Sequence, residues 1–443
     1  MDEPIEILGH LPGLNIYTQM AVVFAVQDDS SFWKISDTLS NGLKKLAEAL
    51  PWVAGQVVNE GATEDNTGVF KLNPYKESPP LIVKDLRDDP SAPKFDSLKE
   101  AGFPFHMLDE SVIAPRPTLP IDPALASEPA PVFIVQATYI AGGLILTFLG
   151  QHQVLDGTGQ GQLIALLAKA CRGESFTEEE VRTGNLTRHD RIPLLDHDIL
   201  DADVTQWRIT AAGAPLKESA KSRWALFNFP SASLAALKNY ASESVPKGYV
   251  TTDDALSALV WQSVIRIRAP RLDPKETCRF ARAVDVRSCL GVAPTFPGLI
   301  QSMANSERQL DALINAPLGE IASLLRSAVD PKTLAYETRA LATALARTQD
   351  RRGWSFGGRM SFHRDVQLAS WAKMDLYDLD YGLGLGLPES VRRPQFTTVE
   401  SLAYLLPKDR EGGVALAICL RDDDMDKLRA DENFSKYGTY IGE

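Results

Sequence analysis

The residues best suited to chemistry lie in the middle of the chain, where the segment ILTFLGQHQVLDGTGQ contains His152, Asp156 and Gly157. Histidine can take up and return a proton near neutral pH, because its unperturbed pKa is about 6.5. Asp156 could orient that imidazole, as in a catalytic triad, or it could pair with a distant arginine and hold the turn. Gly157 allows a sharp turn or the close approach of a ligand. The spacing indicates a general base and leaves the role of the aspartate open.

Two strands and a helix must position these residues. The runs PVFIVQATYI and ILTFLG read as strands joined by the turn Ala141-Gly142-Gly143, which predicts a β-hairpin. After the Asp-Gly pair the apolar residues fall on one stripe of a helix, with Asp156 or Thr158 as its N-cap. His152 is therefore predicted in a strand-to-helix connection, where a rigid scaffold holds its side chain.

Length and charge limit the class of protein. A chain of 443 residues exceeds one ordinary core, so we expect two domains with a site between them. The 46 basic and 58 acidic residues give a net charge of −12 without a basic block. This balance argues against nucleic acid as a partner.

The four cysteines show no ligand spacing and no pairing pattern, which predicts free thiols, no disulfide and a reducing compartment. The six histidines are too scattered to indicate a metal site. No secretory signal is visible at the N-terminus, and polar residues and a Gly-Gly turn divide the longest apolar stretch. We therefore expect a cytoplasmic protein without a metal or a membrane span.

Periodicity predicts a mixed α/β fold in both halves of the chain. In the first half we predict strands at 20–26, 53–58 and 81–85 and a helix at 35–50. In the second half we predict strands at 223–229 and in FARAVDVRSCL, and helices at 231–241, at 251–269 and over 318–347 with a break at Pro331. Trp261 is predicted to be a core residue.

Two stretches read as connections. Six prolines between Ser111 and Pro131 predict an extended surface loop. The polar stretch from Gly173 to Ala220 reads as an interdomain linker. The predicted domains are residues 1–195, which carry His152, and residues 221–443, with 196–220 as the linker.

Near the end of the chain, Gly382, Gly384 and Gly386 alternate with leucines in YDLDYGLGLGLPESVRRP. We interpret this segment as a strand whose missing side chains let another backbone or a ligand approach. It lacks the strand-turn-helix context of a dinucleotide-binding motif.

HQVLDG and YDLDYGLG resemble the two signatures of the BAHD acyltransferases, His-x-x-x-Asp-Gly and Asp-Phe-Gly-Trp-Gly, and the fungal trichothecene 3-O-acetyltransferase branch is nearest. ALPWVAG, TTDDALSALVW and VDVRS extend the resemblance over most of the chain. It implies a cytosolic, monomeric enzyme of two chloramphenicol-acetyltransferase-like α/β domains. Acyl-CoA, with acetyl-CoA expected, and a small alcohol acceptor would enter a channel between the domains from opposite faces. The resemblance implies no permanently bound cofactor.

By this resemblance His152 is the general base, while Asp156 turns away to pair with Arg287 in VDVRS. Ser370-Trp371 resembles the family's Ser-Trp segment, whose indole has been proposed to face the oxyanion of the reaction. A buried hydrogen bond from that indole to a carbonyl is the alternative.

Asp380 matches the acid that begins the second signature and would support the architecture near the CoA side, together with Gly382 and Gly384. Tyr381 and Leu383 depart from the family's phenylalanine and tryptophan. Counting back from the proline after this segment puts Gly382 in the aspartate's place, so two registers fit.

Because CoA is negatively charged and the protein is acidic, local cations should offset repulsion at the channel mouth. The candidates are Arg392 and Arg393, which we expect to reach outward, and the helix N-terminus at Thr251 and Thr252. Solvated surface pairing is the alternative for the two arginines.

The expected function is acyl-CoA-dependent transfer of an acyl group, with acetyl expected, to a hydroxyl group of a secondary metabolite without an acyl-enzyme. One alternative is an enzyme of the same fold that hydrolyses, condenses or cyclises its substrate. Condensation domains usually carry two adjacent histidines, and Gln151 replaces the first of these. The other alternative is a non-catalytic binding protein that keeps the channel.

Overall fold

The structure is a computed structural model that describes residues 2–27, 32–119, 128–209 and 221–443. The strands are β1 (Glu3–Pro4), β2 (Tyr17–Ala25), β3 (Gln56–Glu60), β4 (Val69–Asn73), β5 (Leu81–Asp85), β6 (Ala130–Pro131), β7 (Phe133–Ile140), β8 (Gly143–Gln151), β9 (Ser222–Phe229), β10 (Thr277–Asp285), β11 (Gln301–Gln309), β12 (Val366–Ser370), β13 (Ser390–Arg392), β14 (Leu402–Leu405), β15 (Val414–Arg421) and β16 (Thr439–Gly442).

The helices are α1 (Phe32–Ala49), α2 (Phe95–Ala101), α3 (Glu110–Ile113), α4 (Gly157–Cys171), α5 (Glu178–Gly184), α6 (Asp201–Val204), α7 (Ser231–Ser242), α8 (Thr252–Arg268), α9 (Arg287–Leu290), α10 (Leu310–Asn315), α11 (Leu318–Ser327), α12 (Pro331–Ala346), α13 (Asp422–Ala430) and α14 (Glu432–Ser435). The described part of the chain contains no helix with both the length and the apolarity needed to cross a membrane.

The first half is built on a five-stranded sheet in the order β13-β2-β8-β7-β5. The predicted hairpin of β7 and β8 is confirmed, and its turn at Gly142 has a φ of +76°, which suits glycine. Strands β7 and β8 are buried throughout, because helices α1 and α4 cover one face of the sheet and α2 and α3 the other. This buried hairpin is the rigid support for the turn that follows β8.

The second half is built on a seven-stranded sheet in the order β11-β10-β12-β14-β15-β9-β16. Its β10-β12 and β12-β14 pairs are parallel, and the other pairs are antiparallel. Helix α8 lies in the core of this half with Trp261 fully buried, as predicted. Together with the mixed first sheet, this architecture confirms the predicted α/β class.

Strand β13 connects the two halves. It follows the glycine-rich segment late in the chain, yet it pairs antiparallel with β2 of the first half. The edge of the first sheet is therefore supplied by the second half of the sequence, and the predicted boundaries at residues 195 and 221 stay a prediction.

The two polar connections contain more structure than their composition indicated. Within 173–209, helix α5 begins with a capping box between Thr177 and Glu180, and Trp207 is fully buried in a core cluster with Leu8 and Met303. Between 111 and 131, residues 120–127 lie outside the described residues, as do 210–220 of the predicted linker. The local sequence pattern did not predict the elements within 173–209, because the apolar residues that they contact are distant in sequence.

Candidate active site

A cavity of about 380 Å³ is lined by residues of both halves of the chain, a size suited to a small molecule. The first half contributes the stretches 11–18 and 152–158, and the second half contributes β10, β11, β12 and the loop 355–362. His152, Gly157 and Trp371 all lie on its wall. The structure thus brings together the predicted base, the predicted glycine and the predicted indole.

His152 lies directly after β8, as predicted, and its backbone amide donates to the carbonyl of Ile16 at 2.9 Å. Its Nδ1 lies 2.8 Å from the carbonyl oxygen of Leu155. A carbonyl can only accept, so Nδ1 carries a proton and Nε2 of the neutral ring keeps its lone pair. Burial lowers the pKa of His152 below its usual 6.5, although the Leu155 carbonyl and Asp156 oppose that change. The ring is therefore neutral near pH 7 and able to accept a proton.

Asp156 points away from that imidazole into the protein. Its Oδ1 accepts from the amide of Gly159 at 2.7 Å, which makes it the N-cap of α4, and its Oδ2 accepts from the amide of Ile300 at 2.7 Å. Oδ1 also accepts from the Nη2 of Arg287 at 3.0 Å, and Oδ2 lies 2.9 Å from the Nη1 of Arg287 in an ion pair. Asp156 is the structural anchor of the turn and not the partner of His152, so the alternative left open by the sequence is resolved.

The guanidinium of Arg287 makes four hydrogen bonds and one further ion-pair contact to Asp156. Besides the hydrogen bond to Asp156, Nη1 donates to Asp285 at 3.0 Å, Nη2 to the carbonyl of Gly298 at 2.6 Å, and Nε to the carbonyl of Phe296 at 3.0 Å. Burial alone would lower the pKa of Arg287, but the two carboxylates outweigh it and raise that pKa. The predicted Asp156–Arg287 pair is thus present, with Arg287 in α9 just after β10 instead of in the strand.

Gly157 and Trp371 meet across the cavity wall. A Cβ added at Gly157 would lie 3.2 Å from the Trp371 Nε1 and 2.9 Å from the Met374 Cε. In the described ranges, no group accepts a hydrogen bond from this indole N–H. The indole therefore presents a free donor beside the start of α4, and the alternative of a buried bond to a carbonyl does not hold.

The prediction that Arg392 and Arg393 reach outward is wrong. Arg392 is half-buried and donates to the carbonyls of Gly102, Phe103 and Val391 and to the Tyr377 hydroxyl. Arg393 is only 2% exposed and lines the cavity. The physical reason is that β13 pairs with β2, which turns this part of the chain into the protein.

The glycine-rich segment is not a strand. Gly382, Gly384 and Gly386 have φ values of +65°, +75° and +72°, which side chains rarely adopt and which break the strand pattern. A Cβ at Gly382 would meet the end of α4 at 3.1 Å, whereas a Cβ at Gly384 or at Gly386 would meet open space. All three glycines are therefore needed for their positive φ values, and only Gly382 also allows a close approach to another part of the chain.

Asp380 is exposed, and its Oδ1 accepts from the amide of Gly382 at 2.8 Å while its carbonyl accepts from Arg172. It therefore supports this turn against the end of α4 and lies away from His152. Its predicted place near the CoA side stays a prediction.

Thr251 is the N-cap of α8, as predicted, in a capping box with Asp254. Its hydroxyl donates to the Asp254 carboxylate, and Asp253 adds a second negative charge beside Thr252 in the same turn. Arg282 pairs with both carboxylates, so their charges are compensated inside the protein. The phosphate contact at Thr251 and Thr252 stays a prediction.

Sequence reasoning missed two parts of the cavity wall, at 11–18 and 355–362. The Gly357-Gly358 pair in SFGGRM could have indicated that this loop packs closely against another part of the chain. A Cβ at Gly358 would lie 2.4 Å from the backbone of Trp207. Sequence reasoning named Ser370 beside Trp371 but missed that its hydroxyl, on the cavity wall, donates to Asp253 at 2.7 Å. No local pattern marks that contact, since the partners are 117 residues apart.

A neutral histidine and a free indole donor on a cavity between two mixed sheets define an acyltransferase of the His-x-x-x-Asp-Gly class. The chain belongs to the transferase family, which it matches over residues 116–435, and residues 16–171 match the trichothecene 3-O-acetyltransferase-like N-terminal domain. The resemblance drawn from the sequence motifs is confirmed, and so is the class of acyltransferase that acts on hydroxyl groups.

Similar proteins match along their whole length. An O-acetyltransferase of Cryptosporiopsis sp. (strain 8999) is 48% identical over 451 residues, which cover 100% of this chain and 98% of that protein. Trichothecene 3-O-acetyltransferase TRI101 of Fusarium sporotrichioides is 45% identical over 447 residues, covering 100% and 97%. The crystal structure of F. graminearum TRI101 with coenzyme A and deoxynivalenol has a TM-score of 0.97 at 43% identity and covers 100% of both chains.

Proposed function

We propose that the protein transfers an acetyl group from acetyl-CoA to a hydroxyl of a polycyclic secondary metabolite, with His152 as the general base. The observation that carries the proposal is the 2.8 Å contact of the His152 Nδ1 with the Leu155 carbonyl. It fixes the tautomer whose Nε2 can accept a proton, and Asp156 is fully used elsewhere. The TRI101 complex with coenzyme A and deoxynivalenol supports the choice of donor and acceptor class.

In the proposed reaction the acceptor hydroxyl gives its proton to the His152 Nε2 while its oxygen attacks the thioester carbonyl. The carbonyl oxygen becomes an oxyanion, which the Trp371 N–H and the backbone amides at the start of α4, near Gly157, can stabilise. The tetrahedral intermediate then expels the CoA thiolate, which takes the proton from the imidazolium. No group of the protein is acylated, and general-base assistance of this kind is worth about 10²- to 10⁴-fold in rate.

The direct test incubates the purified protein with radiolabelled acetyl-CoA and deoxynivalenol or a panel of polycyclic alcohols. We expect the label on a hydroxyl oxygen of the alcohol. His152→Ala should lower kcat/KM by at least about 10²-fold at an unchanged melting temperature, because the base acts in the transition state and not in the core.

The exposed His106, which contacts the carbonyl of Glu443 at 2.6 Å, provides the matched control. His106→Ala should keep full activity. Label recovered only as free acetate would show a hydrolase, and binding of both ligands without turnover would show a binding protein. Either outcome contradicts the proposal.

We further propose that the enzyme works in the cytosol as a monomer. The unpaired state of its four cysteines supports a reducing compartment. Cell fractionation and size-exclusion chromatography with light scattering test the two parts separately.

A further inference from the structure

Arg393 is a buried cation on the wall of the active cavity, and most of its donors are unused. Its Nη1 donates to the carbonyl of Gln19 and its Nη2 to the Thr118 hydroxyl, both at a long 3.3 Å. Its Nε has no partner among the described residues. Two of its five N–H groups are therefore engaged, and three have no partner in the described part of the chain.

No carboxylate in the described part of the chain forms an ion pair with Arg393. The negative charge that influences it belongs to Glu110, whose Oε2 accepts from the Thr118 hydroxyl at 2.8 Å and from the Thr118 amide at 2.7 Å. Thr118 thus stands between the two charges. A buried guanidinium with so little compensation is costly unless another group completes its hydrogen bonds.

Aromatic rings hold this guanidinium in place without using its donors. Its Cζ lies 4.0 Å from the ring centroid of Phe396, 4.9 Å from that of Tyr404 and 5.9 Å from that of Trp371. Cation–π contacts of this kind position a charge and leave its N–H groups free. Tyr404 and Trp371 also line the cavity, so the donors are pre-arranged beside the reaction centre.

We propose that Arg393 is a specificity-determining residue that donates hydrogen bonds to an oxygen of the acceptor molecule, such as a carbonyl, ether or second hydroxyl oxygen. This inference rests on the proposed function and adds the chemistry of the acceptor: an oxygen atom at a fixed place besides the hydroxyl that reacts. Guanidinium has donors only, so the complementary group must be a hydrogen-bond acceptor.

The position of Arg393 separates this role from stabilisation of the oxyanion. The Nε1 edge of Trp371 faces Gly157 at the start of α4, where the thioester oxygen would sit. Arg393 instead lies over the face of the same indole and is held by Gln19 of β2, next to Thr18 of the cavity wall. The two donors therefore serve different atoms of the reacting pair.

The test compares the wild type with Arg393→Met and Arg393→Lys on pairs of polycyclic alcohols that differ only in one oxygen away from the reacting hydroxyl. For the oxygen-bearing member, Arg393→Met should raise the acceptor KM by about 10- to 100-fold, the range expected for a charged hydrogen bond. The KM for acetyl-CoA should not move, and kcat should change less than threefold. The preference of the wild type for the oxygen-bearing member should disappear.

The neighbouring Arg392 is a matched control, because it is half-buried, outside the cavity wall and bonded to backbone carbonyls. Arg392→Met should keep the preference between the paired alcohols. Arg393→Met should keep or raise the melting temperature, since a poorly compensated buried charge is replaced by an apolar chain of similar length. Should Arg393→Met fail to fold, Arg393→Lys carries the same comparison, because lysine keeps the charge and loses the planar donors.

Binding of the paired alcohols is also measured by calorimetry without acetyl-CoA, so the result does not depend on turnover. Loss of the binding preference in Arg393→Met supports the inference even if no acetyl transfer is found, in which case only the proposed function fails. A preference retained in Arg393→Met, or an equal fall in kcat for both alcohols at unchanged acceptor KM, would overturn the inference.

Discussion

Arg287 and Arg393 are both almost fully buried, at 1% and 2% exposed, and both lie next to the catalytic turn, yet their surroundings differ. Arg287 makes four hydrogen bonds and has two carboxylates beside it. Arg393 has two long bonds to neutral oxygens and three aromatic rings. A buried arginine whose N–H groups are hydrogen-bonded to the protein stabilises the fold, whereas a buried arginine with unpaired N–H groups on a cavity wall can donate hydrogen bonds to a ligand.

The same contrast separates the two ends of the catalytic motif. Asp156 faces inward and is fully hydrogen-bonded, while His152 lies on the cavity wall and its Nε2 has no hydrogen-bond partner among the described residues. Changes on the inward side should therefore affect stability first, and changes on the cavity side should affect activity with little loss of stability.

The largest effect is expected for Asp156→Ala. It leaves Arg287 buried without its main partner, which costs about 3–5 kcal/mol of the free energy of unfolding, and it removes the N-cap of α4. Denaturant unfolding monitored by circular dichroism measures the loss, and activity should fall as the turn loosens. An unchanged midpoint with lost activity would show instead that Asp156 acts directly in catalysis.

Trp371→Phe tests the cavity side. Phenylalanine keeps a ring against Tyr404, which lies 5.2 Å away between centroids, and removes the indole N–H. Loss of an oxyanion donor should lower kcat by about 10²- to 10³-fold at a similar KM for both substrates. Steady-state kinetics with acetyl-CoA checks this expectation, and Trp261→Phe in the core of the second half serves as the control, with a change in melting temperature only. Full activity in Trp371→Phe would remove the indole from the mechanism.

The pH dependence should reflect the environment of His152. Burial lowers the pKa of its imidazole, and Arg393 acts in the same direction. If the neutral ring is the base, as proposed, kcat/KM should stay high as pH falls below 6.5 and then decrease about tenfold per pH unit below the lowered pKa. Arg393→Met should shift this acid limb to higher pH, because it removes a cation that opposes protonation. An acid limb centred above pH 6.5 in the wild type would contradict the assignment.

The smallest effect is expected for Asp285→Ala, which removes the other carboxylate of Arg287. The Nη1 of Arg287 lies 2.9 Å from Asp156 and 3.0 Å from Asp285, but the Asp285 side chain is 41% exposed. Water can replace that contact, so the loss should be at most about 1 kcal/mol in the free energy of unfolding. The two carboxylates lie at nearly the same distance from the Nη1 of Arg287 but differ in burial. Comparing the free energies of unfolding of Asp285→Ala and Asp156→Ala under the same denaturant conditions therefore measures the effect of burial alone. Equal losses in the two variants would refute the role given to burial.

Predictions from the local sequence were correct where the structure of an element depends only on residues within that element. Alternating apolar residues fixed the hairpin of β7 and β8, and Asp156 followed by a helical stripe marked the start of α4. The placement of His152 followed from these two elements alone. Pro331 marked the break between α11 and α12, although it begins the second helix with Asp330 as its cap instead of ending the first.

Prediction failed where the partner is distant in sequence. Arg393 was expected at the surface because it follows the glycine-rich segment and precedes Pro394, which predicts an extended backbone with its long side chain reaching outward, yet β13 pairs with β2, more than 360 residues earlier. The glycines at 382, 384 and 386 read as a strand because their period is two, although their φ values are positive. Neither strand pairing nor backbone dihedral angles can be read from a local pattern.

The sequence by itself determined the elements around His152, the α/β class and, through its motifs, the Asp156–Arg287 pair. Periodicity and capping act over a few residues, and the motifs carry the family's arrangement with them. Only the tertiary structure decided that the Nδ1 of His152 bonds the Leu155 carbonyl, that the Trp371 N–H is free, and that Arg393 faces the cavity. The His152 contact is made within its own turn, whereas the surroundings of Trp371 and Arg393 depend on which distant groups satisfy each buried donor, and that is settled only when both halves pack together.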